Sequence, residues 1–147
     1  MKQIRTMADV LDFAIAGENE SAELYMKMAG MVENPWMQKT LEGFAQEELR
    51  HRKKLKAVKV GRRSLAHEDV GDLGIAETLE NVKPHSGMNY RELLVFAIKK
   101  ENIAHNLYMR LAVIFPEPEL QDTFLKLAKE EAEHKRRFEM EYESLTS

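Results

Sequence analysis

From Phe13 to Leu55 the chain repeats itself: 16 of these 43 positions recur unchanged 83 residues further on, with no gap. Phe13 recurs as Phe96, Asn19 as Asn102, Tyr25 as Tyr108, Pro35 as Pro118 and Thr40 as Thr123. Repetition at this period predicts two copies of one structural unit that bury their apolar faces against each other. Each copy also carries the same acidic and imidazole residues. Glu18 is followed 30 residues later by Glu48-Leu49-Arg50-His51, and Glu101 at the same distance by Glu131-Ala132-Glu133-His134. Four Glu and two His at helical spacing point to a unit built around metal.

The apolar pattern is helical in four places. Leu11, Ile15, Glu18, Ala22, Tyr25, Ala29 and Val32 follow alternating steps of four and three, the spacing of a seam that faces a neighbouring helix. Met37, Leu41, Phe44, Glu48, His51, Leu55 and Val58 form a second seam. Leu94, Ile98, Glu101, His105, Tyr108, Ala112 and Phe115 form a third, and Leu120, Phe124, Leu127, Glu131, His134 and Phe138 a fourth. Thr6 with Asp9, Asn34 with Pro35, and Asn89 with Glu92 are capping signals. Pro116 and Pro118 separate the third helix from the fourth. Short turns make helices one and two, and three and four, antiparallel hairpins. The expected organisation is one domain over 1–147: repeat one at about 7–58, a crossover at 59–88 and repeat two at about 89–143. The crossover is long enough to traverse the bundle, and a short helix is expected near Leu73–Leu79.

Every Glu and His of the doubled motif lies on an inward seam, and charge decides what it does there. Four buried carboxylates carry four negative charges, each costing several kcal/mol unless neutralised. Two divalent ions neutralise the set. Residues i and i+3 share a helix face, so Glu48 with His51, and Glu131 with His134, can each grip one ion. Glu18 and Glu101 complete the six ligands. Two Glu can bridge the ions, and six side chains leave coordination positions open. Carboxylate with imidazole suits iron first, with manganese or zinc as alternatives. The bland alternative is a bundle whose surface charges only look inward, and the common phase of both copies argues against it. The chain has no cysteine, so disulfides, thiol catalysis and four-cysteine iron sites are excluded within it.

One Glu from each of two helices plus Glu-x-x-His from the other two resembles the ferritin-like di-iron carboxylate proteins. Within them, Ala14-Ile15-Ala16-Gly17-Glu18 leading to Tyr25, with Phe44-Ala45-Gln46-Glu47-Glu48-Leu49-Arg50-His51, resembles the rubrerythrin family. Phe96-Ala97-Ile98-Lys99-Lys100-Glu101 leading to Tyr108, with Leu127-Ala128-Lys129-Glu130-Glu131-Ala132-Glu133-His134, repeats the likeness. The resemblance implies an all-α, ferritin-like four-helix bundle of two duplicated helical hairpins joined by a long crossover. It implies a two-metal, iron-type oxidoreductase reducing hydrogen peroxide or dioxygen, with Tyr25 and Tyr108 hydrogen-bonding near the metals. Two departures matter. Peroxide-reducing rubrerythrins usually add a rubredoxin-like domain, so without cysteines a separate electron-donor protein is expected. They also commonly carry an extra Glu where this chain has Ala104, whose repeat partner is Ser21.

Several residues have competing readings. Tyr25 and Tyr108 can equally be core aromatics with satisfied hydroxyls. His105, which stands where the first repeat has Ala22, is either a donor behind the ligands, an extra ligand, or a core histidine paired to a neighbour. His67 and His85 read as solvated crossover residues. Glu20, Glu47, Glu130 and Glu133 lie off the seams and read as surface charges. The basic run Arg50, Arg52, Lys53, Lys54 and Lys56 reads as an exposed face that could dock an acidic donor. Trp36 and Met37, near the first turn, read as exposed apolar residues favouring a homodimer. A net charge of −3 gives no reason to expect nucleic acid. The absence of a long apolar run and of a signal-type N-terminus leads to the expectation of a cytoplasmic protein without a membrane partner. Two other functions fit the same helices: a ferroxidase or iron-storage protein whose Fe(II) is substrate, and a scaffold with a vestigial metal site.

Overall fold

The computed structural model describes residues 4–62, 70, 75, 79, 80 and 82–146. Four helices carry the fold: α1 Met7–Ala29, α2 Pro35–Gly61, α3 Tyr90–Ile114 and α4 Pro118–Thr146. Each is long enough, at about 1.5 Å per residue, to span the bundle in one pass. The expected all-α, ferritin-like four-helix bundle is what forms. The expected short helix near Leu73–Leu79 and His67 lie outside the described residues, apart from Ile75 and Leu79.

The helix starts follow their capping residues. Thr6 Oγ1 accepts from the Asp9 amide at 3.3 Å while Asp9 Oδ2 accepts from the Thr6 amide at 3.1 Å, a reciprocal box. Asn89 and Glu92 close the same box at 2.8 and 3.0 Å. Asn34 Oδ1 takes the Trp36 and Met37 amides at 2.9 and 3.2 Å, and Pro35 occupies a position whose missing N–H is not needed. Phe115 ends α3 with extended backbone, the conformation that the following Pro116 imposes.

Two apolar clusters flank the middle of the bundle. The first joins Met7, Val10 and Leu11 of α1, Leu55 of α2, Leu107 and Leu111 of α3 and Phe124 and Leu127 of α4. The second joins Tyr25 and Met28 of α1, Leu41 and Ala45 of α2, Leu93, Leu94 and Ala97 of α3 and Phe138 of α4. The start of α1 therefore meets the end of α2, the end of α3 and the start of α4. It follows that α2 and α3 run in the same direction. Their connection must travel the length of the bundle, which explains why it is long. Val70 and Ile75 of that connection are buried in the first cluster, and the Val70 amide donates to the Arg5 carbonyl at 3.0 Å. Glu80, on the same connection, pairs with Lys99 of α3 at 3.2 Å.

The expectation that Trp36 and Met37 are both exposed fails for one of them. Trp36 is 79 % exposed, but Met37 is only 3 % exposed. Adjacent helical residues point about 100° apart, and the four-three spacing that places Leu41 inside also places Met37 there.

Candidate metal centre

Between the two apolar clusters lies a polar layer. Glu18, Glu48, His51, Glu101, Glu131 and His134 are each no more than 2 % exposed. They come from the middles of all four helices, so none is available to cap a helix end. Their ligand atoms fall into two overlapping quartets. Glu18, Glu48, His51 and Glu131 form one, and Glu48, Glu101, Glu131 and His134 form the other, with all ligand atoms of a quartet within 4.8 Å of one another. Glu48 and Glu131 belong to both.

The spacing is that of groups converging on a common point. His51 Nδ1 lies 2.8 Å from Glu131 Oε1 and 3.5 Å from Glu18 Oε2. His134 Nδ1 lies 2.9 Å from Glu48 Oε1 and 3.6 Å from Glu101 Oε2. Neither Nδ1 makes an aligned hydrogen bond. Also without a partner are Glu18 Oε2, both Glu48 oxygens, Glu101 Oε2 and Glu131 Oε1. Buried polar atoms are normally paired, and orphans concentrated in one place are a donor set that a cation would satisfy. Two ligands at right angles on an ion with bonds of about 2.1 Å lie about 3 Å apart, close to the shorter separations here. The residues fit a pair of metal ions.

The atoms of these side chains that face away from the centre are, by contrast, held. The Tyr25 hydroxyl donates to Glu101 and the Tyr108 hydroxyl to Glu18. His51 Nε2 bonds Glu130, and His134 Nε2 bonds Glu47. A carboxylate only accepts, so in both histidines Nε2 carries a proton, which leaves Nδ1 as the nitrogen that would offer its lone pair to a metal. All four supports cross from one repeat to the other. Phe44 stacks on the His134 ring with centroids 4.1 Å apart, which fixes that ring's plane. The paired Asn19 and Asn102 serve alike: Arg52 reaches Asn19, and Lys135 reaches Asn102 at 3.1 Å.

Electrostatics agree with the geometry. Burial pushes Glu48 and Glu131 well above the usual carboxylate range, and neighbouring carboxylates push further in the same direction. Burial alone would lower His51, but Glu131 and Glu18 outweigh it and raise the imidazole to about 11. His134 is raised for the same reason, chiefly through Glu101. Glu18 moves the other way: pairing with Glu48 and His51 overcomes its burial and lowers it. Tyr25 and Tyr108 are raised well above their ordinary value, by burial first and adjacent carboxylates second, so both remain phenols that donate. Without metal, then, the layer attracts protons. It is a site with surplus negative charge.

One sequence reading needs correction. Glu47 and Glu130 are not simply surface charges. They are 35 % and 43 % exposed along the side chain, yet each carboxylate holds the outer nitrogen of a buried histidine. The signal was available, because Glu47 and Glu130 match at the 83-residue offset as the ligands do. His105 stands outside both quartets. Its Nδ1 is 2.8 Å from the Ala128 carbonyl, a bond that ties α3 to α4 and fits a half-buried histidine paired to a neighbour.

No curated protein and no solved structure matches the chain. The rubrerythrin family model matches residues 9–71 and 92–147, which include all six residues of the two quartets. With a duplicated hairpin, a carboxylate-histidine layer at mid-bundle and a family match over most of its length, the chain belongs to the rubrerythrin family.

Proposed function

We propose that the protein is a di-iron oxidoreductase that reduces hydrogen peroxide, or dioxygen, with electrons from a separate donor protein. The observation that carries this reading is the pair of overlapping quartets whose inward atoms have no other partner. Glu18, Glu48, His51, Glu101, Glu131 and His134 would hold the ions, Glu48 and Glu131 being the two residues common to both quartets. Two iron ions, when bound, supply the two electrons that split the O–O bond of hydrogen peroxide, which with two protons yields two waters.

The chain's own residues do the rest. Tyr25 and Tyr108 hold one oxygen each of Glu101 and Glu18, leaving the second oxygen free to face inward. Glu130 and Glu47 hold the Nε2 protons of His51 and His134, so each ring is oriented with Nδ1 toward the centre. The flanking apolar clusters exclude bulk water, which strengthens each charge interaction inside. On the outside of α2, Arg50, Lys53, Lys54 and Lys56 are exposed and suit an acidic donor protein. Among the described residues no helix is long and apolar enough to cross a membrane. Trp36, exposed at the start of α2, is the residue on which we place self-association into a homodimer.

The test is stopped-flow oxidation of anaerobically iron-loaded protein, with hydrogen peroxide and dioxygen in parallel. Faster oxidation by peroxide, with iron retained and re-reducible, is expected. Preference for dioxygen with continuous turnover of added Fe(II) makes iron the substrate and replaces this function with that of a ferroxidase.

A further inference from the structure

A cavity of about 130 Å³ lies between α1 and α3, beneath the described part of the crossover. Glu18 and Glu48, both of the first quartet, line its inner end. Its walls are apolar: Phe13 and Ala14 on α1, Ile103 and Leu107 on α3, and Val82 on the crossover. Two small residues, Ser21 and Ala104, face the same space, and they are each other's counterparts in the two repeats. At the mouth Lys100 Nζ lies 3.2 Å from Glu20 Oε2, with the lysine side chain only 12 % exposed. Lys99, beside the mouth, is likewise engaged with Glu80.

We infer that this cavity is the substrate pocket, and that it accepts an uncharged hydroperoxide bearing a short alkyl group as well as hydrogen peroxide. Three features lead there. The inner end touches the ligands, so a molecule in the cavity reaches the centre without disturbing the flanking cores. The volume is about four times a water's share of about 30 Å³, more than the two oxygens of a peroxide fill. The walls offer an alkyl group apolar contact, and both lysines near the mouth are already paired with carboxylates, which gives an anion no compensation for its lost hydration. The pocket thus selects on neutrality and on the size of the tail. In the reaction the O–O bond breaks, the alkyl-bearing oxygen leaves as an alcohol and the other as water. Two protons come from solvent and two electrons from the ferrous pair, which the donor protein replenishes.

The inference rests on the di-iron assignment above, so its test has an arm independent of redox chemistry. The redox-inert zinc-loaded protein is titrated with tert-butanol and followed by methyl NMR. Saturable shifts confined to Ala14, Ala104 and Leu107 are expected. They should disappear in Ala104→Leu, with zinc content unchanged; Ser21→Val, on the opposite wall, provides the same obstruction should Ala104→Leu fold poorly. In the iron-loaded protein, either substitution should lower the ratio of oxidation rates, tert-butyl hydroperoxide over hydrogen peroxide, at least tenfold. Absence of saturable shifts in the unsubstituted protein, or an unchanged ratio in both variants, overturns the pocket. Oxidation by hydrogen peroxide alone overturns the alkyl preference but leaves the proposed function standing. If neither peroxide oxidises the iron, the proposed function fails, and the tert-butanol titration alone decides the pocket.

Discussion

Replacing Glu48 by Gln should move stability in opposite directions depending on whether metal is present. Glu48 is fully buried and belongs to both quartets, with the ligand atoms of each within 4.8 Å of one another. At that separation and an effective dielectric of about 20, two unit charges repel by roughly 3.5 kcal/mol. Proton uptake limits the cost, because burial and neighbouring carboxylates already raise Glu48 well above its ordinary value. The relief in the metal-free protein at neutral pH is therefore about 1–3 kcal/mol, or roughly 3–10 °C in midpoint for a chain of this size. The loaded protein should behave oppositely, since the amide deprives both ions of a shared negative ligand. A hundredfold weaker affinity forfeits about 2.7 kcal/mol of metal-linked stability. The assay is thermal unfolding of both proteins, with chelator and with Fe(II) or Zn(II) under anaerobic conditions. If Gln lowers the chelator-treated midpoint as much as the metal-loaded one, the carboxylates do not repel in a shared core and the reasoning collapses.

Other substitutions separate the supports from the surface. Tyr25→Phe removes the donor to Glu101 and should weaken one ion by about 10–100-fold, with the other ion largely retained; competition with a coloured chelator measures both steps. Glu130→Ala frees the outer nitrogen of His51 and should lower affinity by about the same factor, whereas exposed Glu133→Ala should change stability by less than about 0.5 kcal/mol. The pH dependence follows from four groups of the layer raised above their unfolded values: His51 to about 11, His134 upward, and Glu48 and Glu131 well upward. Between the unfolded and folded values the metal-free folded state binds more protons, so its stability should fall as pH rises above about 4.5. His51 contributes fully below about 6.5 and loses its contribution towards 11. Metal binding displaces these protons, so the metal-induced rise in Tm should grow over the same interval; calorimetry at several pH values with and without Zn(II) tests both slopes. A rise in metal-free stability across that interval would show that the layer does not take up protons.

Local sequence sufficed for the helices and for the buried placement of the six candidate ligands. The caps at Thr6, Asn34 and Asn89 act within three residues, and the four-three spacing places Glu18, Glu48, His51, Glu101, Glu131 and His134 on one inward stripe per helix. Helical period is a property of the chain itself, so these features needed no knowledge of what each helix packs against. The relations between hairpins did need it. That Tyr25 supports Glu101 and Tyr108 supports Glu18, that Glu48 and Glu131 are shared, and that His105 finds the Ala128 carbonyl all depend on how four rigid helices are set side by side. Glu47 shows why periodicity falls short: it sits about 100° around the helix from Glu48, off the seam, yet its long flexible side chain reaches back to the other hairpin's His134. The direction of a Cα–Cβ bond can be read from sequence. Where the end of a long side chain finds its partner is decided only when the helices pack.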